Sequence, residues 1–307
     1  MIRPRALRPG ARVALVAPAG PLAPGTVELA EERVRALGWQ PVVGASARGR
    51  RGFLSASDAD RTRDLQTALD SADIDAIWCL RGGYGTMRIM DRINLLPLRL
   101  RPRPLIGFSD NTVLHLLATQ AGVISFHGPH PAGAELTAFS TARLLEMVTG
   151  GEGPPPRFPM PEGQRVVTLV GGRAAGRLIG GNLALLAATV GTRAQMNAEG
   201  AVLVIEDVGE PLYRVDRMLT QLRLAGALDG LAGIVVGAFS NRPDEGDPAL
   251  PSLAELLADR LGDPGVPLAY GFPFGHIPES WTLPIGATVT LDADAGTLAL
   301  CEVVVEP

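Results

Sequence analysis

One serine stands where an apolar strand pattern breaks. Leu105-Ile106-Gly107-Phe108 is followed at once by Ser109-Asp110-Asn111-Thr112 and a helical run over Asn111–Ala118. Such a junction lifts a hydroxyl onto a sharp turn at a helix start, where unpaired backbone N–H groups and the helix dipole favour a developing oxyanion. The same residues also suit a plain helix cap, by Ser109 or Asp110. The segment is not the GxSxG of α/β-hydrolases, because Asn111 occupies the place of the second glycine.

A second turn, Arg81-Gly82-Gly83-Tyr84-Gly85, also follows an apolar strand pattern. Its glycines let backbone N–H groups approach a ligand closely, or simply connect a strand to a helix. It matches neither the Walker pattern nor GxGxxG, so it argues little for a nucleotide. In the second half Ala201-Val202-Leu203-Val204-Ile205 leads into Glu206-Asp207. A carboxylate there is costly unless it pairs, either with a histidine whose tautomer it fixes or with Arg214 and Arg217 nearby. Of the four histidines, His115 reads as a packed helix residue, and His127 and His130 flank a turn as site wall or structural donors. His276, on the Gly/Pro-rich loop Gly271–His276, is placed either for catalysis or for structure.

The elements that must position these groups alternate. Strand patterns at Val13–Ala17, Pro41–Val43, Ala76–Leu80 and Pro104–Phe108 are interleaved with helical ones at Thr26–Leu37, Asp58–Leu69, from about Thr86, and at Asn111–Ala118. Strand–helix alternation argues for a parallel sheet covered on both faces, with reactive groups at the carboxyl ends of its strands. From Gly150 through Gly151, Glu152 and Gly153 to Pro161 the chain is too rich in Gly and Pro for helix or central strand, which predicts a linker over 150–165 between a first domain (1–149) and a second (166–307). Beyond it, strand patterns at Val166–Val170, Ala201–Ile205, Gly233–Val236 and Thr288–Leu291 predict a mixed, more β-rich domain.

Composition narrows the class. Hydrophobic residues at 46% and charged ones at 20% are the balance of a globular enzyme. A net charge of −4, with no Lys and no long run of Arg, disfavours a nucleic-acid partner, which needs a basic face to displace phosphate counterions. Cys79 and Cys301 lie in separate apolar runs and predict two buried free thiols in a reducing compartment. Arg3, Arg5 and Arg8 precede the apolar run Val13–Ala17, but that run is shorter than the roughly 7–15 residues of a signal-peptide core. No stretch approaches the roughly 20 apolar residues of a membrane span, so no membrane partner and a cytoplasmic location are expected.

Taken together, these segments resemble the LD-carboxypeptidase family, the muramoyltetrapeptide carboxypeptidases. Gly107-Phe108-Ser109-Asp110-Asn111-Thr112 is similar to its nucleophile motif and Arg81-Gly82-Gly83-Tyr84-Gly85 to its glycine turn. Gly176-Arg177-Leu178-Ile179-Gly180-Gly181-Asn182-Leu183 resembles the opening of its second domain, the string from Glu206 to Arg217 its acidic motif, and Gly275-His276 with Leu283-Pro284-Ile285-Gly286 its histidine motif. The resemblance runs in order from Val13 to Leu291. It implies a Rossmann-like first domain, a β-rich swivelling-type second domain and a site in the cleft between them. It further implies Ser109 as nucleophile, His276 as general base, Glu206 as its orienting carboxylate, and an oxyanion hole from the N–H of Asp110 and a glycine at Gly82–Gly83, with Gly83 the favoured one.

The implied reaction is removal of the terminal D-Ala from a murein tetrapeptide in peptidoglycan recycling, by a homodimer needing no metal or organic cofactor. Arg81, Arg177 and Arg214 are candidates to grip the substrate carboxylate, with Gly82 and Tyr84 beside them. Two other readings stay open. A related branch cleaves microcin C and similar peptidyl- or aminoacyl-nucleotide adducts, and Trp281 near the histidine could stack a base. A non-catalytic cleft that binds a peptide or sugar would not need Ser109, Glu206 and His276 to converge.

Overall fold

The computed structural model describes residues 1–134, 136–150, 153–262 and 265–307. Gly151 and Glu152 of the expected linker lie outside the described residues.

The first half alternates as its pattern predicts: β1 (Arg12–Val16), α1 (Thr26–Ala36), β2 (Gln40–Val43), α2 (Asp58–Asp70), β3 (Ala76–Cys79), α3 (Leu96–Leu100), β4 (Leu105–Gly107), α4 (Thr112–Gln120), β5 (Ser125–His127) and α5 (Ala138–Thr149). β3 and β4 are buried along their whole length, the mark of central parallel strands covered on both faces. Two expectations shift in detail. The helix from Thr86 is only a 3₁₀ turn (Thr86–Arg92), and a second 3₁₀ turn (Ser109–Asn111) precedes α4.

The rest comprises β6 (Val167–Val170), β7 (Arg173–Asn182), α6 (Leu183–Ala188), β8 (Ala201–Val208), α7 (Leu212–Leu224), β9 (Gly233–Ser240), α8 (Leu253–Leu261), β10 (Leu268–Tyr270), β11 (Leu283–Ile285), β12 (Thr288–Asp292) and β13 (Thr297–Leu300). Two sheets result. The first has the order β11-β5-β4-β3-β1-β2, parallel except for β11. The second has the order β13-β12-β7-β8-β9-β10-β6, with a parallel centre and antiparallel flanks. This is the two-sheet α/β architecture expected, with one addition: β11 comes late in the chain yet edges the first sheet.

The halves share their apolar core. α4, which starts just beyond Ser109, packs on β7 and α6, with Val113 and Leu117 in one buried cluster with Ile179, Leu183 and Leu186. Cys79 is buried, but Cys301 is exposed, against expectation, because it falls in the bend after β13 rather than in a covered strand. Among the described residues no helix is long and apolar enough to cross a membrane.

Candidate active site

Ser109 ends the run from β4 and adopts φ 62°, one of two non-glycine residues with positive φ among those described. A left-handed serine stores about 1–3 kcal/mol and persists only where its surroundings impose it. Ser109 does not cap a helix, since neither the 3₁₀ turn nor α4 has a side-chain cap. Asp110 turns away from the helix instead. Its buried carboxylate accepts the Thr86 N–H at 2.8 Å, tying the serine turn to the glycine turn. Burial raises the Asp110 pKa, opposed by hydrogen bonds from Thr86 and Gly85.

The two turns touch at Gly82. A Cβ there would stand 2.7 Å from Ser109 Cβ, 2.9 Å from its Oγ and 3.2 Å from the Asp110 nitrogen, so only glycine fits. The Gly82 carbonyl accepts the Gly20 N–H at 3.1 Å. Beneath the turn, fully buried Arg61 donates to the carbonyls of Pro18 and Gly85 and pairs with Asp58 at 2.6 Å. Arg61 was not singled out from the sequence. Its signal is there, an arginine on the same helix face as Leu65 and Ala68, where an apolar residue is expected.

From the second sheet, Glu206 in β8 is wholly buried and its Oε2 accepts from His276 Nδ1 at 2.7 Å. This pairing, rather than one with Arg214 or Arg217, compensates the carboxylate. Burial pushes the Glu206 pKa up, but the adjacent His127 and the hydrogen bond from His276 outweigh it and hold the group well below the usual range. Because a carboxylate only accepts, Nδ1 of His276 carries the proton and Nε2 is left as the basic nitrogen. Gly275, at φ 107°, allows the approach: a Cβ there would lie 2.7 Å from Glu206 Oε2.

Ser109 and His276 face a common cleft of about 490 Å³, whose walls include Arg81, Gly82, Gly83 and His130. Phe108 forms its floor, packed on His130 at 4.5 Å, His276 at 4.7 Å and His127 at 5.7 Å between ring centroids. His115 is a buried helix residue as expected, hydrogen-bonded to Ser125 and the Gly107 carbonyl. A lattice the sequence did not reveal joins the halves: Thr112 Oγ1 accepts the Asn182 N–H, and Asn182 Nδ2 donates to buried Asp207.

The other predicted contacts divide. Arg81 lines the cleft, whereas Tyr84 is half exposed and packs edge-on against Phe53, outside the lining. Arg214 is held at α7 by Glu210 at 3.5 Å and by the Tyr213 ring. Arg177 is exposed in β7, opposite Ala201, while Asn182 pairs with Glu206. Five strand residues separate Arg177 from that end of the sheet, on the order of 17 Å. Trp281 is buried, donates to the Pro159 carbonyl at 2.7 Å and packs on Phe158 and Phe272, so no base can stack on it. Among the described residues no group of three or more His, Cys, Asp or Glu side chains could hold a metal ion.

Comparison with known proteins identifies the family. Residues 13–128 match the model of the LD-carboxypeptidase N-terminal domain and residues 175–291 that of its C-terminal domain. A protein of Streptomyces coelicolor, provisionally named a carboxypeptidase, is 42% identical over 98% of this chain and 96% of its own. The murein tetrapeptide carboxypeptidase of Pseudomonas aeruginosa is 34% identical over 92% of this chain and 94% of its own. The structure of MccF in complex with glutamyl sulfamoyl guanosine shares the fold, with a TM-score of 0.89 at 20% identity and all of both chains covered. With both family domains matched in order and relatives aligned along almost its whole length, the chain belongs to the LD-carboxypeptidase family of peptidases.

Proposed function

We propose that this protein is a serine LD-carboxypeptidase that releases the terminal D-Ala from murein tetrapeptides, an activity suited to peptidoglycan recycling. The observation that carries the reading is one cleft: a strained Ser109 on one wall, and on another His276 with its Nδ1 proton committed to Glu206. In the reaction Ser109 Oγ attacks the carbonyl of the L,D peptide bond while His276 Nε2 takes the hydroxyl proton. The oxyanion is received by the backbone N–H of Asp110 and of Gly83. The Gly82 carbonyl is committed to Gly20, and in a trans peptide the Gly83 N–H points the opposite way. Collapse of the tetrahedral adduct breaks the C–N bond, and His276 passes its proton to the departing amine of D-Ala. Water, deprotonated by His276, then hydrolyses the acyl-enzyme and restores Ser109. Arg81, alone of the three candidate arginines in lining the cleft, would bind the terminal carboxylate.

The murein substrate is supported by the Pseudomonas relative named for that activity. A nucleotide adduct is the weaker reading, since likeness to MccF at 20% identity speaks for fold and Trp281, the aromatic considered for base stacking, is buried. A purely binding cleft has no use for a buried carboxylate that fixes a histidine tautomer. The test is D-Ala release from a muramyl tetrapeptide, followed by mass spectrometry, for the wild type and Ser109→Ala. Release by the wild type alone supports the reading; no release by folded wild type overturns it and makes an aminoacyl sulfamoyl adenosine the next substrate.

A further inference from the structure

Glu206 has two oxygens, and His276 satisfies only one. Its Oε1 is buried and has no hydrogen-bond partner among the described residues. The group nearest to supplying one is His127, whose Nε2 lies 3.8 Å from Oε1. His127 is itself buried at the end of β5, and neither of its ring nitrogens has a hydrogen-bond partner among the described residues. Unmatched buried polar atoms are uncommon and expensive, and here a donor and an acceptor face each other. Hydrogen bonds of catalytic sites are often long in the free enzyme and tighten in the complex.

We infer that His127 is a positioning residue: as a neutral imidazole protonated on Nε2, it donates to Glu206 Oε1 and holds the carboxylate aimed at His276. This rests on the catalytic reading of Ser109, Glu206 and His276 given above.

The protonation state follows from what surrounds the ring. From α4, His115 contributes no charge: its Nε2 must donate to the Gly107 carbonyl, so its Nδ1 accepts from Ser125, and burial lowers its pKa to about 3. From the loop after β5, His130 is held neutral mainly by burial, with its pKa lowered to about 3. His276 and Phe274 from the 271–282 segment and Phe108 complete the surround. Among the described residues, Glu206 is the charged group placed against His127, 3.8 Å from its Nε2. A proton on Nδ1 would be a buried donor with no acceptor in reach among the described residues. A permanent imidazolium would also neutralise Glu206 and leave nothing to stabilise the charge that His276 takes up. A neutral donor fixes the carboxylate and leaves its charge for His276.

Two measurements test this. Nitrogen-15 NMR of histidine-labelled wild type should show His127 as the neutral Nε2–H tautomer at pH 7. An imidazolium or an Nδ1–H tautomer overturns the inference, whatever the substrate proves to be. In kinetics, His127→Phe removes the donor but keeps the ring volume. With Oε1 unpaired, Glu206 becomes more basic and holds the His276 proton more tightly. The acid limb of kcat/KM should move to higher pH by about one unit, and kcat/KM at pH 7 should fall about 10–100-fold. His127→Gln, whose amide places an N–H near the position of Nε2, should restore both to near wild type. An acid limb unmoved in a folded His127→Phe protein, or no rescue by His127→Gln, refutes the role. If His127→Phe does not fold, the tautomer and the position of the acid limb in His127→Gln decide. Wild-type inactivity on the tetrapeptide would count against the substrate and leave the NMR result standing.

Discussion

Replacing Gly82 with alanine isolates the contact on which the proposed chemistry depends. The added methyl would sit 2.7 Å from Ser109 Cβ, 2.9 Å from Oγ and 3.2 Å from the Asp110 nitrogen, and it would meet no flexible side-chain end other than the hydroxyl itself. Relief requires Ser109 and the Asp110 N–H to retreat together by roughly 0.5–1 Å, and a misplacement of about 1 Å at a reacting centre can lower the rate about 10²-fold. Gly82 does not have a positive φ, so the change adds no left-handed strain. Gly10 is the matched control: at φ 83°, with nothing within 4 Å of its would-be Cβ, Gly10→Ala introduces strain of about 1–2 kcal/mol and touches no other group. D-Ala release and thermal unfolding, measured on both variants, should separate cleanly. Gly82→Ala should lose about 10²-fold in kcat with a small change in melting temperature; Gly10→Ala should melt earlier and turn over normally. Wild-type kcat in Gly82→Ala would refute the assignment of these turns to the reacting centre.

Two further outcomes are expected. Burial, and then the neighbouring Glu206 charge, raise the Asp207 pKa to about 6; a carboxyl group that binds its proton more tightly when folded loses stability as pH rises from its unfolded value of about 3.9 toward 6. Calorimetry between pH 4 and 6 should therefore show the melting temperature of wild type falling with pH relative to Asp207→Asn, and parallel curves would contradict the shift. Among the arginines, Arg81→Ala should lower kcat/KM on the tetrapeptide about 10-fold or more through the lost charged contact, while Arg177→Ala and Arg214→Ala stay within about twofold. Equal losses from Arg81 and Arg177 would overturn the placement of the substrate carboxylate.

What could be read from the sequence was what is local. The strand–serine–helix junction at Ser109 and the glycine turn at Gly82 each follow from an apolar run meeting a turn residue. The pairing of Glu206 with His276 does not, because it is made by the register of parallel strands and by a segment many residues away. Each residue alone admits a bland explanation, and for Glu206 the nearby Arg214 and Arg217 offered one that the fold rejects. Arg177 shows the limit of arguing from chemistry without place. Guanidinium suits a carboxylate, but this one lies mid-strand and exposed in β7 while the site gathers at the strand's end. Trp281 fails for the opposite reason, being close in sequence to His276 but turned into the core. β11 is three residues long, too short for any periodicity, so its return to the first sheet had no local signal.

That return explains how a histidine borne on a loop can be held well enough to serve as a base. β10 belongs to the second sheet and β11 to the first, so residues 271–282 cross between them with His276 on the way. The crossing is pinned on the second sheet, where Phe274 accepts from the Ala238 N–H at 3.0 Å and the His276 carbonyl accepts from Ser240 at 3.0 Å. Its far end is pinned where Leu283 pairs with His127. Ser109 is thus fixed by the first sheet, Glu206 by the second, and His276 by both. The bond from the Asn182 N–H to Thr112 ties α4, the helix behind Ser109, to the end of β7 beside Glu206. A rotation of one sheet against the other would have to break that bond and drag the crossing segment with it. The groups gathered in the cleft are therefore coupled through both sheets, and a substitution that breaks the Asn182–Thr112 bond should disturb Ser109 and Glu206 together.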